Sequence, residues 1–152
     1  MRSGVRLGVD VGTVRVGVAA CDPGGVLAYP LTVLRRDPRG DRDLGELEGL
    51  AAEHEAIEIV VGLPRSLSGR EGPAAVAVRD YAAALARRVA PLPVRLVDER
   101  LSTTQASGGL RAAGKSSRAQ REIVDAAAAV VVLQAALDGE RAIGRPAGEV
   151  GQ

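Results

Sequence analysis

Four acidic residues lie at strand ends or beside a buried helical stripe, as judged from the sequence pattern. Asp10 ends a strand-like run and is followed by a glycine turn. Asp98 and Glu99 directly follow the strand-like run Val94–Val97. Asp125 precedes a wholly apolar stretch within a helical segment, so its carboxylate is expected near the protein interior. A charge in such a place must be paired, protonated or bound to a cation.

These acids could form one metal-binding centre. Parallel α/β sheets place ligand sites at the carboxyl ends of their strands, and Mg²⁺ and Mn²⁺ prefer oxygen ligands. Such ions can activate water and stabilise the leaving oxygen in phosphodiester hydrolysis. Because side chains alternate along a strand, only one of Asp98 and Glu99 is expected to join Asp10 and Asp125, and the pattern leaves that choice open. The structural alternative is that these acids serve as turn and capping residues.

The elements that would position these acids alternate in type along the chain. Period-2 alternation predicts the strands, and capping-box spacing, such as Asp43 with Glu46, predicts several helix starts. Three antiparallel strands come first, followed by helix, strand, helix, strand, helix and helix. The predicted elements are strands Val5–Val9, Arg15–Ala20 and Gly25–Leu34, a helix from Asp43 to about His54, strand Ile57–Leu63, helix Pro73–Val89, strand Val94–Val97, a helix from Ser102 to Gly114, and a helix from Ser117 to about Leu137.

This order predicts one α/β domain with a mixed sheet covered by helices on both faces. A length of 152 residues suits a single domain, and 46% hydrophobic with 26% charged residues is typical of a globular chain. We expect the domain over residues 1–138 and a flexible C-terminal tail over residues 139–152, which are rich in Gly, Pro and charge. Aromatic residues are only 1%, which disfavours a base-stacking platform.

Composition also limits the chemistry and the cellular setting. Cys21 is the only cysteine, which excludes an intramolecular disulfide and a cysteine metal cluster. No histidine or lysine is suitably placed to activate Ser102, so nucleophilic catalysis is not expected. The longest apolar run, Ala126–Leu133, is far too short to span a membrane, and the N-terminus lacks the pattern of a signal peptide. We therefore expect a cytoplasmic protein with no membrane partner.

Local basic groups could contact phosphates although the net charge is only +1. One basic segment, Lys115–Arg121, contains no acid before Glu122. A solvated basic face is the structural alternative. The candidate nucleic-acid contacts are Arg15, Arg65, Lys115 and Arg118.

Several motifs, taken together in their order and spacing, resemble one bacterial family. The resemblance is to the YqgF or RuvX-type family of Holliday junction resolvases and pre-16S ribosomal RNA nucleases, and it covers about residues 5–138. The motifs are Leu7-Gly8-Val9-Asp10-Val11-Gly12-Thr13 with Arg15, Gly17, Val18 and Ala19; Val61-Gly62-Leu63-Pro64; Gly69-x-Glu71-Gly72; Asp98-Glu99-Arg100-Leu101-Ser102-Thr103; and Asp125-Ala126-Ala127-Ala128-Ala129 with Leu133-Gln134.

This resemblance implies a ribonuclease H-like fold with a mixed five-stranded sheet between helices. It implies that Asp10, Glu99 and Asp125 form the acidic centre, which favours Glu99 over Asp98. The implied activity is metal-dependent maturation of the 5′ end of 16S ribosomal RNA, with cutting of branched DNA in some members. Two departures affect the substrate contacts. Arg65 and its neighbour Ser66 replace the usual apolar residue and Asn, and the segment before the last acid is less Lys-rich than usual.

Two other functions compete with a nuclease. The Asp10-x-Gly12-Thr13 turn also resembles the phosphate-binding hairpin of actin-like ATPases and sugar kinases, but those enzymes need a second lobe for which this chain has no room. A non-catalytic RNA- or ribosome-binding module that uses the basic loops is the other alternative. Structured RNA, branched DNA and ribosomal precursors are the expected partners. Symmetric cutting of a four-way junction would favour a homodimer.

Overall fold

The computed structural model describes residues 2–64, 70–98, 117–146 and 148–150, and within the third range it describes side chains from residue 126 onward. The helix predicted from Ser102 to Gly114 lies outside these residues. Strands and helices alternate after an initial run of three strands, as predicted. The elements are β1 (Arg6–Val11), β2 (Arg15–Cys21), β3 (Ala28–Arg35), α1 (Arg42–Glu53), β4 (Glu58–Leu63), α2 (Pro73–Val89), β5 (Val94–Asp98), α3 (Ser117–Ile143) and β6 (Glu149–Val150).

The strands form one mixed sheet in the order β3-β2-β1-β4-β5-β6. β1 is parallel to β4, and β4 is parallel to β5, while β2, β3 and β6 are antiparallel to their neighbours. The α/β class is confirmed, but the expected count of five strands was wrong because β6 adds a sixth. That short strand lies in the segment interpreted as a tail, where turn residues surround only two strand residues, and it forms by pairing with β5.

Helices cover both faces of the sheet, as the alternation of elements predicted. Leu7, Val9 and Val61 point to the face on which α1 and α2 pack, and they belong to the larger hydrophobic core. The opposite face packs against α3, and its core includes Ala19, Val60 and side chains of that helix. Alternate residues of β1 and β4 therefore belong to different layers, as the period of two in a strand requires.

α3 approaches the sheet closely because glycines occupy two of the contact positions. A methyl group at Gly8 would lie 2.6 Å from Cβ of Leu133 and 2.9 Å from the carbonyl oxygen of Ala129. A methyl group at Gly62 would lie 2.9 Å from a methyl carbon of Val132. Any larger side chain at these positions would push the helix away from β1 and β4.

The far end of α3 is held by a buried ionic cluster at the edge where the parallel strands begin. Glu140, 3% exposed, accepts hydrogen bonds from Arg2 and from the fully buried Arg6, the latter at 2.9 Å. Glu58, also 3% exposed, accepts from Arg2 at 2.8 Å and from Arg95 at 3.0 Å. The cluster therefore ties the N-terminal segment, three strands and α3 together.

Two predicted helix boundaries were wrong. α1 begins at Arg42 after Asp41, and Asp43 is not its N-cap but a buried residue of its first turn. The reason is tertiary, because the Asp43 carboxylate accepts a hydrogen bond from Tyr81 at 2.7 Å. α3 continues to Ile143 rather than ending near Leu137. The hydrogen bonds of Glu140 in the ionic cluster stabilise this additional part of the helix.

Among the residues that the structure describes, no helix combines the length and apolar character that a membrane span requires.

The close approach of α3 predicts that Gly8→Ala destabilises the protein. The added methyl group meets helix backbone, which cannot move as a flexible side chain does, so we expect a loss of about 1–3 kcal/mol in the free energy of unfolding. Gly49→Ala is the control, because that helical position has nothing within 4 Å, and the change should be neutral or stabilising by up to about 1 kcal/mol. Urea denaturation measures both, and equal effects would contradict the packing argument.

The ionic cluster predicts a pH-dependent contribution from Glu140. Burial by itself would raise the pKa of this carboxyl, but hydrogen bonds from Arg2 and the charges of Arg2 and Arg6 outweigh it and lower the pKa to about 2. Because the folded-state pKa is depressed, the stabilisation is complete above the unfolded-state pKa of about 4.3 and is lost as pH falls towards 2.

We therefore expect Glu140→Gln to reduce the free energy of unfolding by about 3–5 kcal/mol at pH 7, because it leaves Arg6 buried without its counter-charge. The difference from the unmodified protein should shrink between pH 4.5 and pH 2.5, a range set by these pKa values. Denaturant titrations across this range provide the measurement. The exposed pair of Glu46 with Arg42 supplies the control, since Glu46→Gln should cost less than about 1 kcal/mol. A constant difference at all pH values would exclude the proposed linkage.

Candidate active site

Asp10 lies half-buried at the edge where the parallel strands end. In β1 it alternates with Val9 and therefore shares the face of Gly8, against which α3 packs. Asp10 pairs with Gly17 of β2, and because Gly17 has no side chain, there is room beside Asp10 on that face. Asp10 therefore lies one residue before the end of β1, close to the strand end predicted for it, and on the face of α3.

The direction of α3 brings residue 125 towards the same edge. Along this helix Glu140 contacts Arg6 at the opposite edge, and Ala129 contacts Gly8 in the middle of β1. Residue 125 precedes Ala129 by one helical turn, about 6 Å, while Asp10 lies about 7 Å beyond Gly8 along the strand. Residue 125 and Asp10 therefore both lie beyond the contact at Gly8, towards the edge where the parallel strands end. The side chain of Asp125 lies outside the described residues.

Asp98 occupies the opposite face of the sheet from Asp10. It ends β5, pairs with Leu63 of β4 and alternates with Val97. Leu63 belongs to the core under α1 and α2, whereas Val97 belongs to the core under α3. Paired residues of neighbouring strands point to one face, so Asp98 points away from the face of α3. Glu99, which the family resemblance favours, lies outside the described residues.

The turn after Asp10 is tight and is held from outside. The N–H of Gly12 donates to the carbonyl of Arg15 at 2.8 Å, and a methyl group at Gly12 would lie 2.7 Å from that same oxygen. Arg36, just after β3, donates from its backbone N–H to the carbonyl of Val14 at 2.8 Å and from Nη1 to the carbonyl of Gly12 at 2.9 Å. Arg36 was not predicted as a site residue, because no local sequence pattern shows that a residue so far along the chain contacts this turn.

Arg36 is itself held by two buried side chains. Its guanidinium carbon lies 4.9 Å from the centre of the Tyr81 ring, and its Nε lies 3.9 Å from Oδ2 of Asp43. The Tyr81 hydroxyl donates to the same carboxylate oxygen at 2.7 Å. Burial and, next, this hydrogen bond to Asp43 raise the pKa of Tyr81 far above its usual value, so the phenol stays protonated and remains a donor.

Two arginines lie on the same face and edge as Asp10. Arg15 begins β2 and is half-buried, and its partner across the strands is Arg35, the exposed last residue of β3. Both alternate with core residues under α1 and α2, Val16 and Leu34, and so lie on the face of α3. Arg35 was not predicted, because only the strand register shows that it lies beside Arg15. Three other predicted phosphate contacts fall outside the described side chains: Arg65, Lys115 and Arg118.

The donor chemistry at this edge is compatible with a hard divalent cation. Asp10 offers carboxylate oxygens on a face without a described histidine or thiol ligand nearby, which suits Mg²⁺ or Mn²⁺. Within the ranges that the structure describes, no group of three or more acids, histidines or cysteines is placed to hold a metal ion. The two other predicted ligands, Glu99 and the side chain of Asp125, are not part of those ranges.

Comparison with known proteins identifies the family. A family model described as RuvX, Holliday junction resolvase, matches residues 4–139. The chain belongs to the RuvX family. This membership agrees with the resemblance seen in the sequence motifs. The matched range includes every described strand except β6.

Similar proteins from other bacteria carry a nuclease name. A Streptomyces coelicolor protein named "Putative pre-16S rRNA nuclease" is 58% identical over 151 residues, which cover 98% of this chain and 89% of the relative. A protein of the same name from a Nocardioides species is 53% identical over 155 residues, covering 99% and 97% of the two chains. The whole length of this RuvX-family chain is therefore shared with proteins of that name.

A solved structure supports the fold. Thermus thermophilus RuvC, in a complex with a Holliday junction substrate, matches with a TM-score of 0.51 and 14% sequence identity, over 97% of this chain and 99% of that chain. At this identity the likeness concerns the fold alone, and it agrees with the ribonuclease H-like fold that the motifs of this RuvX-family chain imply.

Proposed function

We propose that this protein is a divalent-metal-dependent nuclease that acts in the cytoplasm to process the 5′ end of pre-16S ribosomal RNA. The observation that carries the proposal is the convergence of Asp10 and residue 125 at one edge and one face of the sheet. Family membership and the names of close relatives support the reaction class and the RNA substrate.

Asp10, Glu99 and Asp125 would hold Mg²⁺ or Mn²⁺ in this proposal. When bound, such ions neutralise phosphate charge and activate water for attack on phosphorus. The described part of the chain contributes the position of Asp10, which the β1–β2 turn and the packing of α3 both fix. Arg15 and Arg35 would contact phosphates of the substrate beside that carboxylate.

A second candidate function is resolution of Holliday junctions, and the description of the family model favours it. Symmetric cutting of a four-way junction would require two active sites, so this function includes a homodimer. A non-catalytic RNA- or ribosome-binding module remains the third candidate. Incubating purified protein and Mn²⁺ with precursor ribosomal RNA and, separately, with a four-way DNA junction separates the three. Binding without cleavage of either substrate would support the third.

The carboxylate centre predicts that Asp10→Asn abolishes cleavage while the fold is kept. The amide preserves the size of the side chain but removes the negative charge that holds a cation, so we expect kcat to fall by about 1,000-fold or more, the scale of a lost catalytic group. Gel-based cleavage at saturating Mn²⁺ provides the measurement, and thermal denaturation checks folding. Unchanged cleavage by Asp10→Asn would refute the proposed centre.

The register of β5 predicts different effects for substitutions at Asp98 and at Glu99, the next residue in the sequence. Glu99→Gln should lose cleavage as Asp10→Asn does, since the proposal makes it a ligand. Asp98→Asn is the matched control, because Asp98 points to the face of α1 and α2, and its kcat should stay within about threefold of the unmodified protein. The reverse ranking in the same cleavage assay would assign the ligand to Asp98.

The basic pair predicts a change in the salt dependence of substrate binding. Removing one phosphate contact should reduce the slope of log Kd against log salt concentration by about 1, whatever the nucleotide sequence. We expect this for Arg15→Gln and for Arg35→Gln, measured by fluorescence anisotropy with the uncleaved substrate in EDTA. Arg145→Gln is the control, because this exposed residue follows the C-terminal end of α3, near the opposite edge of the sheet. Three identical slopes would count against phosphate contacts at Arg15 and Arg35.

A further inference from the structure

Three polar side chains from three different elements converge on the turn that follows Asp10. Arg36 directly follows β3, Asp43 lies in the first turn of α1, and Tyr81 lies in the middle of α2. Asp43 is 2% exposed and Tyr81 is 7% exposed, so the anion and the phenol are buried beneath the guanidinium. We name this group the Arg36 brace.

The brace contacts the turn only through backbone oxygens. The Nη1 atom of Arg36 donates to the carbonyl of Gly12, and the backbone N–H of Arg36 donates to the carbonyl of Val14, on the other side of Thr13. Together with the bond from Gly12 to Arg15, these contacts fix the turn from inside and from outside. Hydrogen bonds from a charged donor are roughly twice as strong as neutral ones, so the link from Nη1 to Gly12 restrains the backbone two residues after Asp10.

The brace is also oriented with little freedom of its own. The Asp43 carboxylate accepts from the Tyr81 hydroxyl at 2.7 Å and from the N–H of Asp37 at 3.2 Å, so both of its oxygens are engaged. The Tyr81 ring supports the guanidinium plane by a cation–π contact. A hydrophobic side chain could fill this part of the core but would make no directional bonds. The polar contacts therefore restrain the orientation of the Arg36 guanidinium as well as filling space.

We propose that Arg36 is a positioning residue, which, held by Tyr81 and Asp43, fixes the β1–β2 turn and thereby the carboxylate of Asp10 for the reaction. The inference rests on the proposed function for the role of Asp10, but not for the behaviour of the turn. A carboxylate held in productive geometry contributes strongly to rate, and a displacement of about 1 Å can cost about 100-fold.

The test compares Arg36→Gln, Arg36→Lys and Tyr81→Phe with Arg88→Gln. The control removes an arginine that also contacts a helix of this layer, through a 3.1 Å bond to Glu48, but does not contact the turn. The first readout is amide hydrogen exchange of Gly12, Thr13 and Val14 by NMR, without metal or substrate. The second is kcat and KM for cleavage with Mn²⁺, at a temperature where every variant is folded.

Arg36→Gln should speed exchange at the turn by about 10-fold or more and lower kcat by about 10- to 100-fold, with KM within about twofold. Arg36→Lys keeps one charged donor and should recover part of both losses. Tyr81→Phe keeps the ring but removes the bond to Asp43, so its effect should be smaller than that of Arg36→Gln. Arg88→Gln should leave both readouts unchanged. If Arg36→Gln does not fold, Arg36→Lys and Tyr81→Phe carry the comparison.

Unchanged exchange at the turn in the Arg36 variants would overturn the inference, and so would faster exchange with unchanged kcat. Equal losses in Arg88→Gln would also overturn it, because the effect would then come from general destabilisation. Absence of cleavage by the unmodified protein on every substrate would instead refute the proposed function. Amide exchange would still decide whether Arg36 fixes the turn.

Discussion

The contact between α3 and strands β1 and β4 is the constraint on which both the core and the candidate site depend. Glycine at positions 8 and 62 allows helix atoms to come within distances that no side chain would permit. The same contact aligns the helix with β1, because Ala129 and Leu133 lie on either side of one strand residue. A helix displaced outward by one methyl group would move residue 125 relative to Asp10, so packing density here determines the geometry of the acidic edge.

The buried ionic cluster at the opposite edge of the sheet fixes the position of α3 along its helix axis. Each carboxylate of the ionic cluster there contacts two guanidinium groups, Glu58 those of Arg2 and Arg95, and Glu140 those of Arg2 and Arg6. Buried ion pairs contribute less to net stability than their geometry suggests, since desolvation opposes the attraction. Their fixed directions nevertheless favour one register of helix on sheet. The buried ion pairs thus lie at one end of the parallel strands, and the charged residues of the proposed active site lie at the other end.

Much of this arrangement could be predicted from local sequence patterns. The order of the first five strands, the start of α2 at Pro73 and the α/β class follow from period and turn chemistry, and the structure confirms them, although most strand bounds differ by one to three residues. Asp10 could be placed because a strand end and a glycine turn are local signals. The role of Asp43 could not, because an acid near a helix start has the same local pattern whether it caps the helix or accepts a bond from Tyr81. The sixth strand was missed for a similar reason, since a two-residue strand exists only through its neighbour.

The same distinction applies to Asp98 and Glu99, between which the local sequence pattern does not choose. Alternation alone does not say which face Asp98 occupies, whereas its pairing with Leu63 places Asp98 on the face of α1 and α2. Asp10 is then restrained from both layers: α3 packs on its own face, and Arg36 holds its turn from the layer of α1 and α2. A carboxylate at a strand end would otherwise share the freedom of the loop that follows it. The rate of the proposed reaction depends more on the position of this carboxylate than on the strength of any single bond. Two independent restraints on the short segment that carries it meet that requirement.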